Sequence, residues 1–311
     1  MAKQAPRYSR KNLIILLLAL VALYVIVPRL GSFRSSLETI RHAKVLWLGI
    51  CTLALLASYL AAACTYALLA KKRLRYAPTV LVQVASMFTN RLLPAGAGAI
   101  GINYAYLRGQ KHTPAAATAV VAANNLLGFV GHAILFLGFV LFGGDELGMA
   151  KLPSAKQLFL VFCAAAVLVV AGYAVVHIRQ FKLRRFMSRT LASLRDYRSN
   201  PARLALAVIS SMAMTSCYLL GLYGSVRALG LHLSVTAVFV VLTFGVAGAT
   251  AVPTPGGLGA AEASIVGGLV LYGVSSADAL AVALLYRLFT YWLAFAVGLI
   301  GFGAIRKLGY I

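Results

Sequence analysis

Long apolar runs joined by short basic connections set the pattern of this chain. Uninterrupted apolar stretches cover about 13–30, 45–70, 114–142, 157–178, 204–228 and 279–304. Each is long enough to cross the roughly 30 Å hydrocarbon core of a bilayer as a helix. Two further apolar stretches, 78–109 and 232–275, are interrupted by proline and glycine. The pattern predicts an all-α, polytopic integral membrane protein with six spanning helices and two broken elements. Each broken element is either a re-entrant pair of half-helices or two full helices around a break, and in both cases the chain enters and leaves on one side. The period-two alternation of an outer-membrane barrel is absent.

The breaks are alike. Pro255, Gly256, Gly257, Gly259 and Glu262 follow the spacing P-x-G-x-G-x-x-[G/E], and Pro94, Gly96, Gly98 and Gly101 follow it 161 residues earlier. Proline removes a backbone donor and glycine frees the chain to turn. At membrane depth such backbone survives only where protein or a water-filled cavity surrounds it. Two interrupted segments at matching places predict a duplicated, transporter-like unit. The chain then reads as one transmembrane domain, 1–311, divided into halves of about 1–150 and 151–311.

Composition narrows the class. At 61% hydrophobic and 11% charged residues, the chain carries more apolar surface than a soluble fold of 311 residues hides. The net charge of +23 would suggest nucleic acid on a soluble protein. Here the basic residues sit in connections between apolar runs, so they fit topology and anionic lipid heads, and no nucleic-acid partner is expected. With the N-terminus inside, twenty basic residues fall on the inside and seven on the outside, which predicts cytoplasmic termini in the cell (inner) membrane. That orientation makes the two halves inverted. The apolar stretch near the N-terminus lacks a convincing cleavage site and reads as a retained helix. The 31–44 stretch suits a short interfacial helix, and 179–203, with eight basic residues, suits either an anionic-lipid contact or a topogenic loop. Cys51, Cys64, Cys163 and Cys217 lie inside apolar runs and read as buried thiols, with no metal-ligand spacing.

Few residues are chemically distinctive. Glu262 is the acid placed at membrane depth, three residues after Gly259, where a half-helix would begin. It caps its own helix, pairs with an arginine, or gates a site. Arg287, inside the last apolar run, is its natural partner and a candidate phosphate ligand, with Tyr286, Tyr291 and Trp292 nearby. In the first half Asn90, Arg91 and Asn103 are the candidates. Asn124 and Asn125 read as interhelical glue, and His132 as a packing residue. The candidate substrate-binding set is therefore Glu262, Arg287, Asn90, Arg91, Asn103 and Tyr286. The hinge set is Pro94, Gly96, Gly98, Pro255, Gly256, Gly257 and Gly259. No nucleotide-binding loop or hydrolytic constellation occurs, so neither an enzyme nor a metal or cofactor site is expected.

Pro255–Glu262, Gly273-Val274-Ser275, Ala283–Leu288 with Tyr291-Trp292, and Asn90–Pro94 with the glycines after it together resemble the lysylphosphatidylglycerol synthase transmembrane-region family. The resemblance spans almost the whole chain. It implies lipid translocation between leaflets, without the aminoacyl transfer that longer members carry on a separate soluble domain. Family members often have a charged residue after the first glycine motif and a Glu-Arg pair on the next helix. Here those places read Ile100-Gly101-Ile102 and Asn124-Asn125. The expected cargo is an anionic phospholipid or a polyprenyl-linked lipid. A second copy of the chain or a lipid-modifying enzyme are the other candidate partners. The rival readings are an ion-coupled carrier of a small solute and a non-transporting partner of a lipid-modifying enzyme.

Overall fold

The computed structural model describes residues 38–93, 96–142, 200–251 and 254–311. The expected spans 13–30 and 157–178, residues 31–37, residues 179–199 and Pro94 lie outside them. The described residues are helical, with no strand among them. Four helices are long and apolar enough to cross a membrane: α1 (Val45–Leu69), α4 (Pro114–Phe142), α5 (Pro201–Ala228) and the continuous run Ser276–Lys307. Only 22–39% of their apolar windows is buried inside the fold. Most of that apolar surface therefore faces outward, which suits lipid and not water. The protein is a multi-pass membrane protein.

Polar caps extend two of these helices beyond their apolar stretches. The Asn200 side chain accepts from the Arg203 backbone N–H at 3.1 Å, and Pro201 occupies the first turn, so α5 starts three residues before the hydrophobic run. Ser275 likewise accepts from Asp278 N–H at 3.1 Å. The last run comprises α8 (Ser276–Arg287), a π-helical segment (Leu288–Leu293) and α9 (Ala294–Lys307).

Both broken elements are helical hairpins. In the first, α2 (Tyr76–Leu92) and α3 (Ala97–Gly109) run antiparallel. The Gln83 amide donates to Asn103 Oδ1 at 2.7 Å, and one turn nearer the base Thr79 Oγ1 meets Tyr106 Oη at 3.0 Å. Gly98 permits the close approach at the turn, because a Cβ there would sit 2.0 Å from the Thr89 carbonyl oxygen. In the second, α6 (Val235–Ala251) leads through a short 3-10 turn (Pro255–Gly257) into α7 (Ala260–Leu271). Ile265 and Leu269 of α7 bury against Val241 and Leu242 of α6. The arms hold 17, 13, 17 and 12 residues. At 1.5 Å per residue they are about 18–26 Å long, short of the roughly 30 Å hydrocarbon core.

Cross-contacts tie the elements together. Helices α1 and α5 pack antiparallel: Lys44 N–H donates to Ala228 O at 2.9 Å at one end, and Arg203 Nη2 donates to Ala70 O at 2.7 Å at the other. The first hairpin leans on α9 through Phe88, whose ring lies 5.1 Å from Phe295 and 5.4 Å from Phe302. The second leans on α4 through Phe239, stacked on His132 at 5.1 Å and Phe139 at 4.8 Å. Helices α1, α2, α3 and α4 thus recur in order as α5, α6, α7 and α8–α9, their starts about 160 residues apart.

Charge separates the two ends. Among the described residues Lys71, Lys72, Arg73, Arg75, Arg108, Lys111, Arg203, Arg306 and Lys307 gather at one end, where Lys72 Nζ reaches Lys111 O at 2.7 Å. Arg41, Lys44 and Arg227 occupy the other. The first hairpin has its base at the basic end and the second at the opposite end.

Candidate functional site

The hairpin tips meet halfway along the bundle. Arg91, at the end of α2, donates from Nη2 to the Thr290 carbonyl, and its guanidinium lies 5.4 Å from the centre of the Tyr291 ring. Gly256, at the tip of the second hairpin, has φ 60°, and a Cβ there would sit 2.5 Å from the Tyr291 ring and 2.7 Å from Arg91 Cδ. Only glycine fits that backbone and that space. Thr290 and Tyr291 lie within the π-helical segment, near the middle of the 32-residue run Ser276–Lys307. A π turn inside a long helix is rare and recurs at functional sites.

Arg287 and Glu262 join the second tip to the same run. Glu262 Oε1 accepts from Arg287 Nε at 2.6 Å, and Oε2 accepts from the Gly259 N–H at 2.7 Å. The carboxylate therefore caps α7 and neutralises a buried guanidinium together, both partners being mostly buried. Arg287 also donates from Nη2 to Gly256 O at 2.9 Å and stacks 4.7 Å above Tyr291. Tyr291 thus contacts both arginines.

A cavity of about 720 Å³ opens beside this junction. Asn90, Arg91 and Gly96 form one wall, Gly256, Gly257 and Ala261 another, and Tyr286, Arg287 and Thr290 a third. Gly128, Phe129 and His132 of α4 and Thr215 and Tyr218 of α5 complete it, near the middles of those helices. Leu93, Phe129 and Val246 on its lining are themselves exposed, so the cavity has an apolar rim facing sideways. Among the described residues the mid-depth charges are Arg91, Arg287 and Glu262, an excess of one positive charge. The N-termini of α3 and α7 add their partial positive charge at the tips.

A model of the family described as lysylphosphatidylglycerol synthase TM region matches residues 12–298. The chain belongs to this family. No curated protein sequence matches it. Lysylphosphatidylglycerol synthase TM-region membership accords with the expectation drawn from the Pro255–Glu262 and Asn90–Pro94 motifs, and it marks a membrane protein connected with lipid metabolism.

The site does not take in every expected residue. Glu262 and Arg287 pair, and Asn90, Arg91, Tyr286, Gly96, Gly256 and Gly257 line the cavity. Gly259 caps α7, Pro255 opens the 3-10 turn, and Gly98 packs the first turn without lining the cavity. Asn103 is a correction. It lies about two helical turns below the tip, its Oδ1 accepts from Gln83, and its Nδ2 donates to Ala99 O at 2.9 Å. Both amide ends are used, so it joins the hairpin arms and does not face the cavity. Asn124 and Asn125 do not line it either. His132, expected only to pack, lines the cavity and meets Thr243 Oγ1 at 3.1 Å through Nε2. Tyr218, Thr215 and Thr290 were missed. Their signal is a polar side chain near the middle of a long apolar helix.

Proposed function

We propose that this protein is a non-enzymatic lipid translocator that moves an anionic phospholipid or a polyprenyl-linked lipid between leaflets. One observation carries the reading: two arginines at mid-depth, only one of them paired with a carboxylate among the described residues, line a cavity with an apolar, sideways rim. A buried excess of positive charge is costly in a membrane unless a function uses it. A phosphate head group answers that charge while its tails remain outside the rim, in lipid. A small soluble solute needs no such rim. The opposed hairpins support an inverted duplication, halves about 1–150 and 151–311, in which the site is reached from either leaflet in turn. The gathering of basic residues at one end supports cytoplasmic termini in the inner membrane. In this reading Glu262 holds Arg287 against the second tip and so keeps the wall of the chamber in place.

The test is reconstitution. Purified protein in liposomes with a fluorescent anionic phospholipid is expected to expose inner-leaflet lipid to a membrane-impermeant quencher. Glu262→Gln and Arg91→Gln, recovered as monodisperse protein, should slow this by about tenfold or more, the effect of roughly 1.4 kcal/mol on a barrier. Wild-type rates in both variants, or no lipid movement by the wild type, would overturn the reading.

A further inference from the structure

Four buried side-chain polar atoms lack a hydrogen-bond partner among the described residues: Tyr59 Oη, Asn90 Oδ1, Arg91 Nε and Tyr272 Oη. Buried polar groups are nearly always satisfied, so each exception calls for a reason. Tyr272 lies at the far end of α7. The other three belong to one neighbourhood. Tyr59, on α1, is 2% exposed and packs among Leu55, Met87 and Ala294. Met87 precedes Asn90 and Arg91 by one turn of α2. Tyr59 and Tyr218 both interact electrostatically with Arg91, and Tyr218 and Arg91 line the cavity.

The two arginines are also unequal. Arg287 is committed through Nε to Glu262 and through Nη2 to Gly256 O. Among the described residues Arg91 pairs with no carboxylate and spends Nη2 on a backbone carbonyl, leaving Nε unused in the neighbourhood that also holds the unpartnered Tyr59 hydroxyl. A guanidinium N–H and a phenolic O–H, both dry and both unanswered, are donors awaiting an acceptor. The positive charge selects an anion, and several donors converging from different elements suit a tetrahedral oxyanion. An Asn90 side chain turned over would present its NH2 as a further donor.

We propose that Arg91 and Tyr59 form a phosphate-binding site recessed in the cavity wall, with Arg287 serving the fold and not the ligand. This rests on the reading of the cavity as a chamber for an anionic head group, and it adds Tyr59 and a division of labour between the arginines. The unpaired hydroxyl is then a stability cost kept for binding.

Tyr59→Phe tests it, since it removes the hydroxyl and keeps the ring. The full chain in detergent is titrated with inorganic phosphate, with dihexanoyl phosphatidylglycerol, and with dihexanoylglycerol, which lacks the phosphate. Wild type should bind the phosphate-bearing probes and not dihexanoylglycerol. Binding of inorganic phosphate marks a site for the free ion as well as the head group; binding of the phospholipid alone marks a head-group site. Tyr59→Phe should weaken binding by about tenfold while its thermal midpoint stays equal or rises, because an unsatisfied buried group is gone. A merely structural hydroxyl would leave affinity unchanged, and that result overturns the proposal. So does equal binding of dihexanoylglycerol, or no binding of either phosphate probe. Binding that follows this pattern without lipid movement in liposomes would defeat the translocator reading and leave this site standing.

Discussion

Glu262 does two jobs with two oxygens. Oε2 caps α7 at Gly259, and Oε1 pairs Arg287. Glutamine in its place still offers an oxygen to the cap but leaves Arg287 without its counter-charge. Breaking one partner of a buried pair costs about 3–5 kcal/mol, reduced here because both side chains keep some exposure. Glu262→Gln should therefore lower the thermal midpoint in detergent, and Glu262→Gln/Arg287→Met should recover part of the loss; no recovery would show that the pair is not the cause. Gly98 gives a sharper case. A methyl 2.0 Å from the Thr89 carbonyl oxygen meets rigid backbone, so Gly98→Ala forces the hairpin arms apart. Overpacking of this kind costs about 1–3 kcal/mol. A midpoint equal to wild type would show that the turn yields freely. The sequence marks Gly98 through its spacing, since the same spacing recurs at Gly259. It does not mark Tyr59, because a tyrosine in an apolar helix is ordinary until its hydroxyl is found unpaired.

The elements owe their positions to their ends as much as to their apolar faces. At the base of the first hairpin, His112 lies in the turn between α3 and α4 and is buried. Its Nδ1 lies 3.1 Å from Leu107 O, and its Nε2 accepts the Lys72 N–H at 3.3 Å. That arrangement needs the neutral ring with the proton on Nδ1. Burial pushes its pKa below the ordinary 6.5, and Lys72 pushes the same way, against the pull of the Leu107 carbonyl. Below pH 6.5 the unfolded chain takes a proton that the folded chain resists, so stability is full above that value and falls as pH drops through it. The thermal midpoint is expected to decline from pH 7 to pH 5, and less so in His112→Asn. Equal declines would exclude the histidine. A sequence reading passes over His112 because only the fold brings α1's exit beside this turn. It does find Asn103, as a polar residue after a break, but its distance from the tip places it two turns down an arm, where Gln83 answers it.

At the scale of the molecule, the two ends of the bundle differ in charge and the middle holds the site. Nine described basic residues at one end against three at the other give an orientation that labelling can test. In a cysteine-free background, Lys44→Cys should react with an impermeant maleimide from outside intact cells, and Lys307→Cys only after permeabilisation. The reverse pattern would invert the topology. The hairpins also differ in what they leave open. The first closes against α9 through Phe88, Phe295 and Phe302, while the cavity lies along α4, α5 and the second hairpin. The chamber therefore lies at mid-depth, beside the second hairpin and against the tip of the first.

The apolar runs by themselves determined the helices, because a bilayer demands long, internally hydrogen-bonded segments wherever such a run occurs. They placed α1, α4, α5 and the last helix to within a few residues, missing only the polar caps that hydropathy ignores. The repeated proline and glycine spacing located both breaks, since few residues tolerate those turns. Tertiary structure decided what the breaks do. Whether Arg91 meets a carboxylate or a carbonyl, whether Arg287 is spent or free, and whether Tyr59 lies beside either depends on which helices cross at mid-depth. Those contacts join residues up to 199 positions apart. No local pattern encodes them, because they arise from the packing of whole faces.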